Sequence, residues 1–176
     1  MSLNLQEVII RDAVINDLPD IIKIYNQAVL TGISTADTKT IQLEDRLEWF
    51  KQFDPQKRPL WTVLYRNQII AFTYLTSFYG SRPAYDKTAE HSTYIDKNFH
   101  AQGLGSFLKD KMIKACPSLG VENLLTMYFD HNIASKKLNE KFGFTEVGHL
   151  ENIATIHGKT HGLKIAILNI PPSPKN

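Results

Sequence analysis

The chain has one cysteine, Cys116, in 176 residues. A single thiol cannot close an intrachain disulfide, so the fold has to rest on its core, as expected in a reducing compartment. Long apolar runs are missing as well. Nothing approaches the roughly 18 consecutive apolar residues of a membrane helix, and the start MSLNLQEV has no secretory-signal character. Charge of one sign is also scarce. The 20 basic and 18 acidic residues leave a formal charge of +2, too small to argue for a nucleic-acid partner. No repeat and no low-complexity segment interrupts the chain. These absences lead to the expectation of a cytoplasmic, enzyme-sized domain with neither a membrane nor a nucleic-acid partner.

What is present is ordinary for a globular protein: 43% hydrophobic and 22% charged residues. A chain of this length buries roughly 70% of its unfolded surface, so no metal staple is required. One domain over residues 1–176 is expected, with residues 1–7 and 171–176 as flexible ends. The run VIIRDAV reads as a strand. Leu18, Ile21, Ile22, Tyr25 and Val29 then recur at helical spacing, behind Asp17 as N-cap. A second helix is expected over about Leu43–Gln52. PLWTVLY and IIAFTYL form a hairpin around Arg66-Asn67-Gln68. SFYGSRPAYDK is a loop and TAEHSTYI a strand. A helix follows over Gly105–Ala115, then the strand NLLTMYF and a helix over Ala134–Phe142, closed by Gly143. TEVGHLENI and HGLKIAILNI finish the pattern around a His157-Gly158-Lys159-Thr160 turn. Strands outnumber helices and antiparallel pairs flank a βαβ-like middle, which predicts a mixed α/β sheet with helices on its faces.

The stretch YIDKNFHAQGLGSFL leaves a strand and enters a helix that has no acid near its start. Gly103 and Gly105 allow the backbone there to take unusual angles and to approach a ligand closely. The first N–H groups of any helix need acceptors, and a phosphate supplies acceptors together with negative charge. The side chains of His100 and Gln102 can donate as well. A dinucleotide fingerprint would need glycine at position 108, which is Leu108. A P-loop would need Lys after its last glycine, and the chain has Gly105-Ser106-Phe107. The expectation is a phosphate site of another kind, against the plain alternative of a tight turn with no ligand.

The sequence His100-Ala101-Gln102-Gly103-Leu104-Gly105 resembles the acetyl-CoA signature Arg/Gln-x-x-Gly-x-Gly/Ala of the GNAT superfamily of N-acetyltransferases, with His in the first position. DHNIASKKLNEKFGF resembles the family's Asn-x-x-Ser/Ala followed by a helix ending in Gly-Phe. The likeness runs from Ile10 to Ile170. SRPAYDKTAEHSTYID is similar to the loop and strand of the phosphinothricin and methionine-sulfoximine acetyltransferases. The resemblance implies a mostly antiparallel mixed sheet of about seven strands flanked by four helices, a homodimer, and acetyl-CoA as co-substrate. It makes Glu90 the general base. It places Arg82, Glu90, His91 and Ser92 at the acceptor, and Thr93, Tyr94 and Ile95 beside the pantetheine arm. Ala101, Gln102, Gly103, Leu104, Gly105 and Ser106 would hold the pyrophosphate, and Asn132 the CoA arm.

The implied chemistry is direct attack of a small amino-acid-like amine on the thioester. Alternation along the strand sets Glu90, Ser92 and Tyr94 on one face, and His91, Thr93 and Ile95 on the other; on that pattern His91 is structural. Asn132 also suits a helix N-cap. Asn139 stands where the relatives carry Tyr or His as the acid for the thiolate, which leaves that acid unassigned, with water or Tyr128 as substitutes. The stretch Ile156–Gly162 lacks the Lys, Trp and Asp of the phosphinothricin pattern, so the particular amine stays open. His149, His157 and His161 have no metal-site spacing, and no metal is expected. The competing readings are a non-catalytic acyl-CoA sensor, for which Asn139 argues, and a protein N-acetyltransferase.

Overall fold

The computed structural model describes residues 3–171. The strands are β1 (Ile9–Asp12), β2 (Leu60–Tyr65), β3 (Gln68–Ser77), β4 (Thr88–Ile95), β5 (Asn123–Phe129), β6 (Thr145–Ile156) and β7 (Lys159–Asn169). The helices are α1 (Leu18–Thr31), α2 (Glu44–Phe50), α3 (Leu104–Ala115) and α4 (Ile133–Lys141). The strands make one seven-stranded sheet in the order β1-β2-β3-β4-β5-β7-β6. Every neighbouring pair is antiparallel except β4 and β5, which run parallel. This is the mixed, mostly antiparallel sheet expected from the sequence.

The two hairpins close as their residues dictate. Arg66 and Asn67 both take positive φ (49° and 63°), as do His157 and Gly158 (49° and 76°). Two successive left-handed residues form the turn that matches strand twist. β3 contributes Ala71, Phe72 and Leu75 to the core. Leu18, Ile21, Ile24 and Val29 of α1 pack with Leu60 and Phe72 on one face. Leu104 and Leu108 of α3 join Val63 and Ile70, and Met112 joins Leu75 and Leu124. Cys116 is fully buried, and burial pushes its thiol up to about 12, so it packs as a small apolar group.

Two local expectations change. Asp17 makes no side-chain bond to the start of α1. Its carboxylate instead takes two bonds from Arg11, at 2.6 and 2.8 Å, and one from the Val14 N–H at 2.8 Å. A paired guanidinium outcompetes a cap that the preceding 3-10 turn (Ile15–Asp17) already makes unnecessary. The loop after β3 contains two 3-10 turns, Phe78–Ser81 and Pro83–Tyr85. Near the N-terminus, Leu5–Glu7 is a 3-10 turn capped by Asn4, and the Leu3 N–H donates to Gln102 Oε1 at 2.8 Å. The C-terminal residues 172–176 lie outside the described residues.

Candidate active site

The parallel pairing of β4 with β5 is short. It joins Thr88 to Asn123, Ala89 to Leu124 and Glu90 to Leu125, and stops. β4 runs on to Ile95 and β5 to Phe129, so their facing edges separate. A cavity of about 790 Å³ opens in the gap, floored by both strands and walled by α1, α3 and α4. That volume suits a cofactor-sized ligand.

Glu90 sits at the apex of the split. It is half-buried and, among the described residues, its carboxylate makes no hydrogen bond or ion pair. Burial raises its pKa above the ordinary carboxylate value. Ser92 and Tyr94 share its face, where Tyr94 stacks on Phe72 with ring centroids 5.0 Å apart. On the opposite face His91 Nε2 lies 2.8 Å from Thr73 Oγ1 and 3.0 Å from Thr93 Oγ1. His91 is buried, and burial followed by the charge of Lys109 holds its pKa well below 6.5. The alternation read from the sequence is the one the strand adopts.

The turn into α3 has two backbone features of note. Gly103 takes φ 83°, which only glycine adopts without strain, and Ala101 takes φ 57°. Gly105 is different: its φ is not left-handed, and a Cβ there would meet only Ile95 and Leu138 side chains at 3.6 and 3.7 Å, ordinary contact distances. Among the described residues no contact forces glycine at 105. α3 has no side-chain cap and no acid in its first turn, so its leading N–H groups face the cavity mouth without protein acceptors.

The neighbouring side chains are partly committed. His100 Nε2 bonds the Ile95 carbonyl at 2.8 Å, and Gln102 Nε2 donates to the Asn98 carbonyl at 2.9 Å. Gln102 does not line the cavity; His100, Ala101, Gly103, Leu104, Gly105 and Ser106 do. A cation that the sequence reading did not single out stands beside them, since Lys141 Nζ donates to Ser106 Oγ at 3.1 Å.

Asn132 lines the cavity and caps α4, its Oδ1 accepting the Ser135 N–H at 3.0 Å. Its Nδ2 donates to the Ile33 carbonyl at 3.3 Å, tying α4 to the segment after α1. Arg82 is not brought into the cavity. It lies on the exposed loop after β3, its guanidinium 5.0 Å from the Tyr79 ring centroid. Tyr128 lines the cavity, but its hydroxyl donates to Glu146 Oε2 at 3.4 Å. Burial, and then Glu146, raise its pKa.

The histidines gather differently from their spacing. Asp130, His131 and His161 offer ligand atoms that all lie within 4.8 Å of one another. Two of the three, Asp130 and His131, come from the segment between β5 and α4, and the sequence reading weighed His149, His157 and His161 without His131.

A sheet split at β4 and β5, with a capless helix opening onto the split, defines the class. The family model for the acetyltransferase (GNAT) domain matches residues 10–161, and the chain belongs to this family of acetyltransferases. It is 41% identical over 150 residues, 85% of this chain and 91% of the relative, to the Bacillus subtilis (strain 168) protein named "Putative phosphinothricin acetyltransferase YwnH". It is 28% identical over 167 residues, 93% of this chain and 95% of the relative, to the L-methionine sulfoximine/L-methionine sulfone acetyltransferase of Pseudomonas aeruginosa. The fold matches a Sinorhizobium meliloti phosphinothricin acetyltransferase solved with acetyl-CoA. That match has a TM-score of 0.87 at 23% identity, over 97% of this chain and 92% of the other.

Proposed function

We propose that the protein transfers an acetyl group from acetyl-CoA to the amine of a small amino-acid-like substrate, of the phosphinothricin or methionine-sulfoximine kind. One observation carries this reading: Glu90, desolvated and unpaired, stands at the apex of the cavity whose far end is the open start of α3. The leading N–H groups of α3, Gly103 to Ser106, hold the pyrophosphate, with Lys141 beside them. The free edge of β4 from Thr93 to Ile95 runs beside the pantetheine arm, and one of its N–H groups receives the oxyanion. Glu90 takes the proton of the incoming ammonium, since only the free amine attacks. Ser92 faces the acceptor beside it, and His91 holds the strand from behind.

Arg82 is assigned to the substrate carboxylate on the family resemblance alone, because its loop stands outside the cavity. A homodimer and a cytoplasmic location complete the proposal. The edge strand β6 exposes Val147, Leu150 and Ile153, a surface suited to a second copy. Among the described residues no helix is long and apolar enough to cross a membrane.

The test is release of free CoA from acetyl-CoA across a panel of free amino acids and their sulfoximine and sulfone analogues. Turnover with members of the panel supports the reading. Binding of acetyl-CoA with no turnover, unchanged in Glu90→Gln, favours a sensor instead.

A further inference from the structure

Two buried polar side chains in the same cavity have no part in the scheme above, and they touch each other. Lys109 on α3 is 4% exposed and Asn139 on α4 is 2% exposed. Lys109 Nζ donates to Asn139 Oδ1. The ammonium also lies over the Phe144 ring, 4.4 Å from Nζ to the centroid. Among the described residues no carboxylate pairs with it. Asn139 Nδ2 is buried with no acceptor. Both side chains line the cavity, as do Gly105, Ser106 and Glu90.

Neither feature is explained by folding. A buried ammonium without a counter-ion and a buried amide donor without an acceptor both oppose stability. Together they make a cationic corner with an unpartnered amide NH2 group, and the complement of such a corner is an anion or a soft acceptor. Acetyl transfer generates one, the CoA thiolate.

We propose that the Lys109 ammonium, positioned by Asn139 Oδ1, protonates the departing CoA thiolate, while Asn139 Nδ2–H donates to the same sulfur. The proposal rests on the acetyl-transfer reading and supplies its missing acid. When the tetrahedral adduct collapses, the C–S bond breaks, its electron pair stays on sulfur and the carbonyl re-forms. One Nζ–H bond of Lys109 breaks and an S–H bond forms, leaving a neutral lysine and free CoA. One proton of the substrate ammonium is already on Glu90, and the second proton that the nitrogen must lose leaves the adduct to water as the amide forms. Solvent returns a proton to Lys109 and removes one from Glu90 as products leave, so the turnover releases one proton in all and needs no further reactant.

The groups facing Lys109 fit this role. Burial lowers its pKa to about 8, beside about 8.5 for the thiol of cysteine, and near-matched partners exchange a proton most effectively. From β4, His91 is kept neutral by burial and by Lys109 itself. From α4 and the residues after it come only the uncharged Asn139 and Phe144. Tyr128, on β5, gives its hydroxyl to Glu146.

The decisive measurement needs no acceptor amine. The thiol of CoA bound to the native protein is titrated by the ultraviolet absorbance of its thiolate. A cation beside the sulfur lowers the thiol pKa by about one unit relative to free CoA, and Lys109→Met abolishes that shift. In turnover, Lys109→Met lowers kcat by roughly 100-fold with the KM for acetyl-CoA nearly unchanged. Lys109→Arg keeps the charge but cannot release a proton near neutrality, so it keeps the thiol shift and recovers under a tenth of the rate. Native-like thiol titration and kcat in Lys109→Met overturn the proposal. Should that variant fail to fold, an unshifted thiol on the native protein overturns it equally. Absence of any calorimetric heat with CoA overturns the acetyl-transfer reading itself; binding with an unshifted thiol overturns the Lys109 assignment alone.

Discussion

Glu90 and Leu125 are the last residues that β4 and β5 hold in register. One residue further the sheet divides, so the carboxylate sits where paired backbone ends and the cavity begins. That position desolvates Glu90 without giving it a partner, and an acid in that state is poised to take a proton. Glu90→Gln keeps the shape and removes the base. It is expected to lower kcat/KM for the amine by about 100- to 10,000-fold while the affinity for acetyl-CoA, measured by calorimetry, stays within about twofold. A small effect on turnover would assign the base elsewhere.

The same burial has a sign in stability. The folded-state pKa of Glu90 is raised above 4.5, so between the unfolded and folded values the native state binds the extra proton. Stability therefore falls as pH rises through that window, and the deficit persists at neutrality. Glu90→Gln should be more resistant to urea than the native protein at pH 7 and indistinguishable from it near pH 4. Equal midpoints at both values would mean that the carboxylate is well solvated.

Gly103 and Gly105 should respond in opposite ways to alanine. At Gly103, φ 83° opposes a side chain, and Gly103→Ala is expected to cost about 1–2 kcal/mol of stability. At Gly105 the helix accepts alanine, which is worth up to about 1 kcal/mol in propensity. Gly105→Ala should thus fold at least as stably as the native protein yet bind CoA at least tenfold more weakly. Thermal unfolding and calorimetry on the pair of variants check both. Unchanged affinity in Gly105→Ala would place the pyrophosphate elsewhere.

Asp17 carries a stabilising charge. Burial works to raise its pKa, but the two bonds from Arg11 and the one from Val14 outweigh it, and the net shift is downward from 3.8. A depressed acid contributes stability above its unfolded value and loses it as pH falls through the folded one. Asp17→Ala is expected to cost about 1–3 kcal/mol at pH 7, because it leaves the Val14 N–H and the Thr62 hydroxyl without this acceptor and Arg11 with its bond to the Asp12 carbonyl. The difference from the native protein should shrink below about pH 3. Denaturant unfolding at the two pH values checks it.

The sequence made the sheet and the uncapped start of α3 readable, because both depend on local rules. Strand alternation separated Glu90 from His91, and the glycines with no acid after them marked a helix start that lacks a side-chain cap. The rest depends on contacts between distant segments. Lys109 falls on the buried stripe of α3 between Leu108 and Met112, where binary patterning expects an apolar residue. Spacing along one helix could not show that Asn139 meets it from α4, thirty positions on. Asp17 was misread because its partner Arg11 precedes the helix, and the metal reading weighed His149, His157 and His161 while His161 meets His131 and Asp130 from a distant segment.

Lys109 also sets a trade between activity and stability. Its folded-state pKa of about 8 lies below the unfolded value of 10.5. Between those values the unfolded chain binds more protons, so stability rises with pH across that window. Below pH 8 the whole penalty for burying the charge is present, at most about 3 kcal/mol from the size of the shift. Lys109→Met fills the same space with an apolar stem and carries no such penalty. It is expected to be more stable than the native protein by about 1–3 kcal/mol at pH 7, with the advantage narrowing toward pH 10, while acetyl transfer declines. Urea titrations of the two proteins at pH 7 and pH 10 measure this directly. A variant less stable than the native protein at pH 7 would show that the ammonium and Asn139 hold the fold together rather than serve the thiolate.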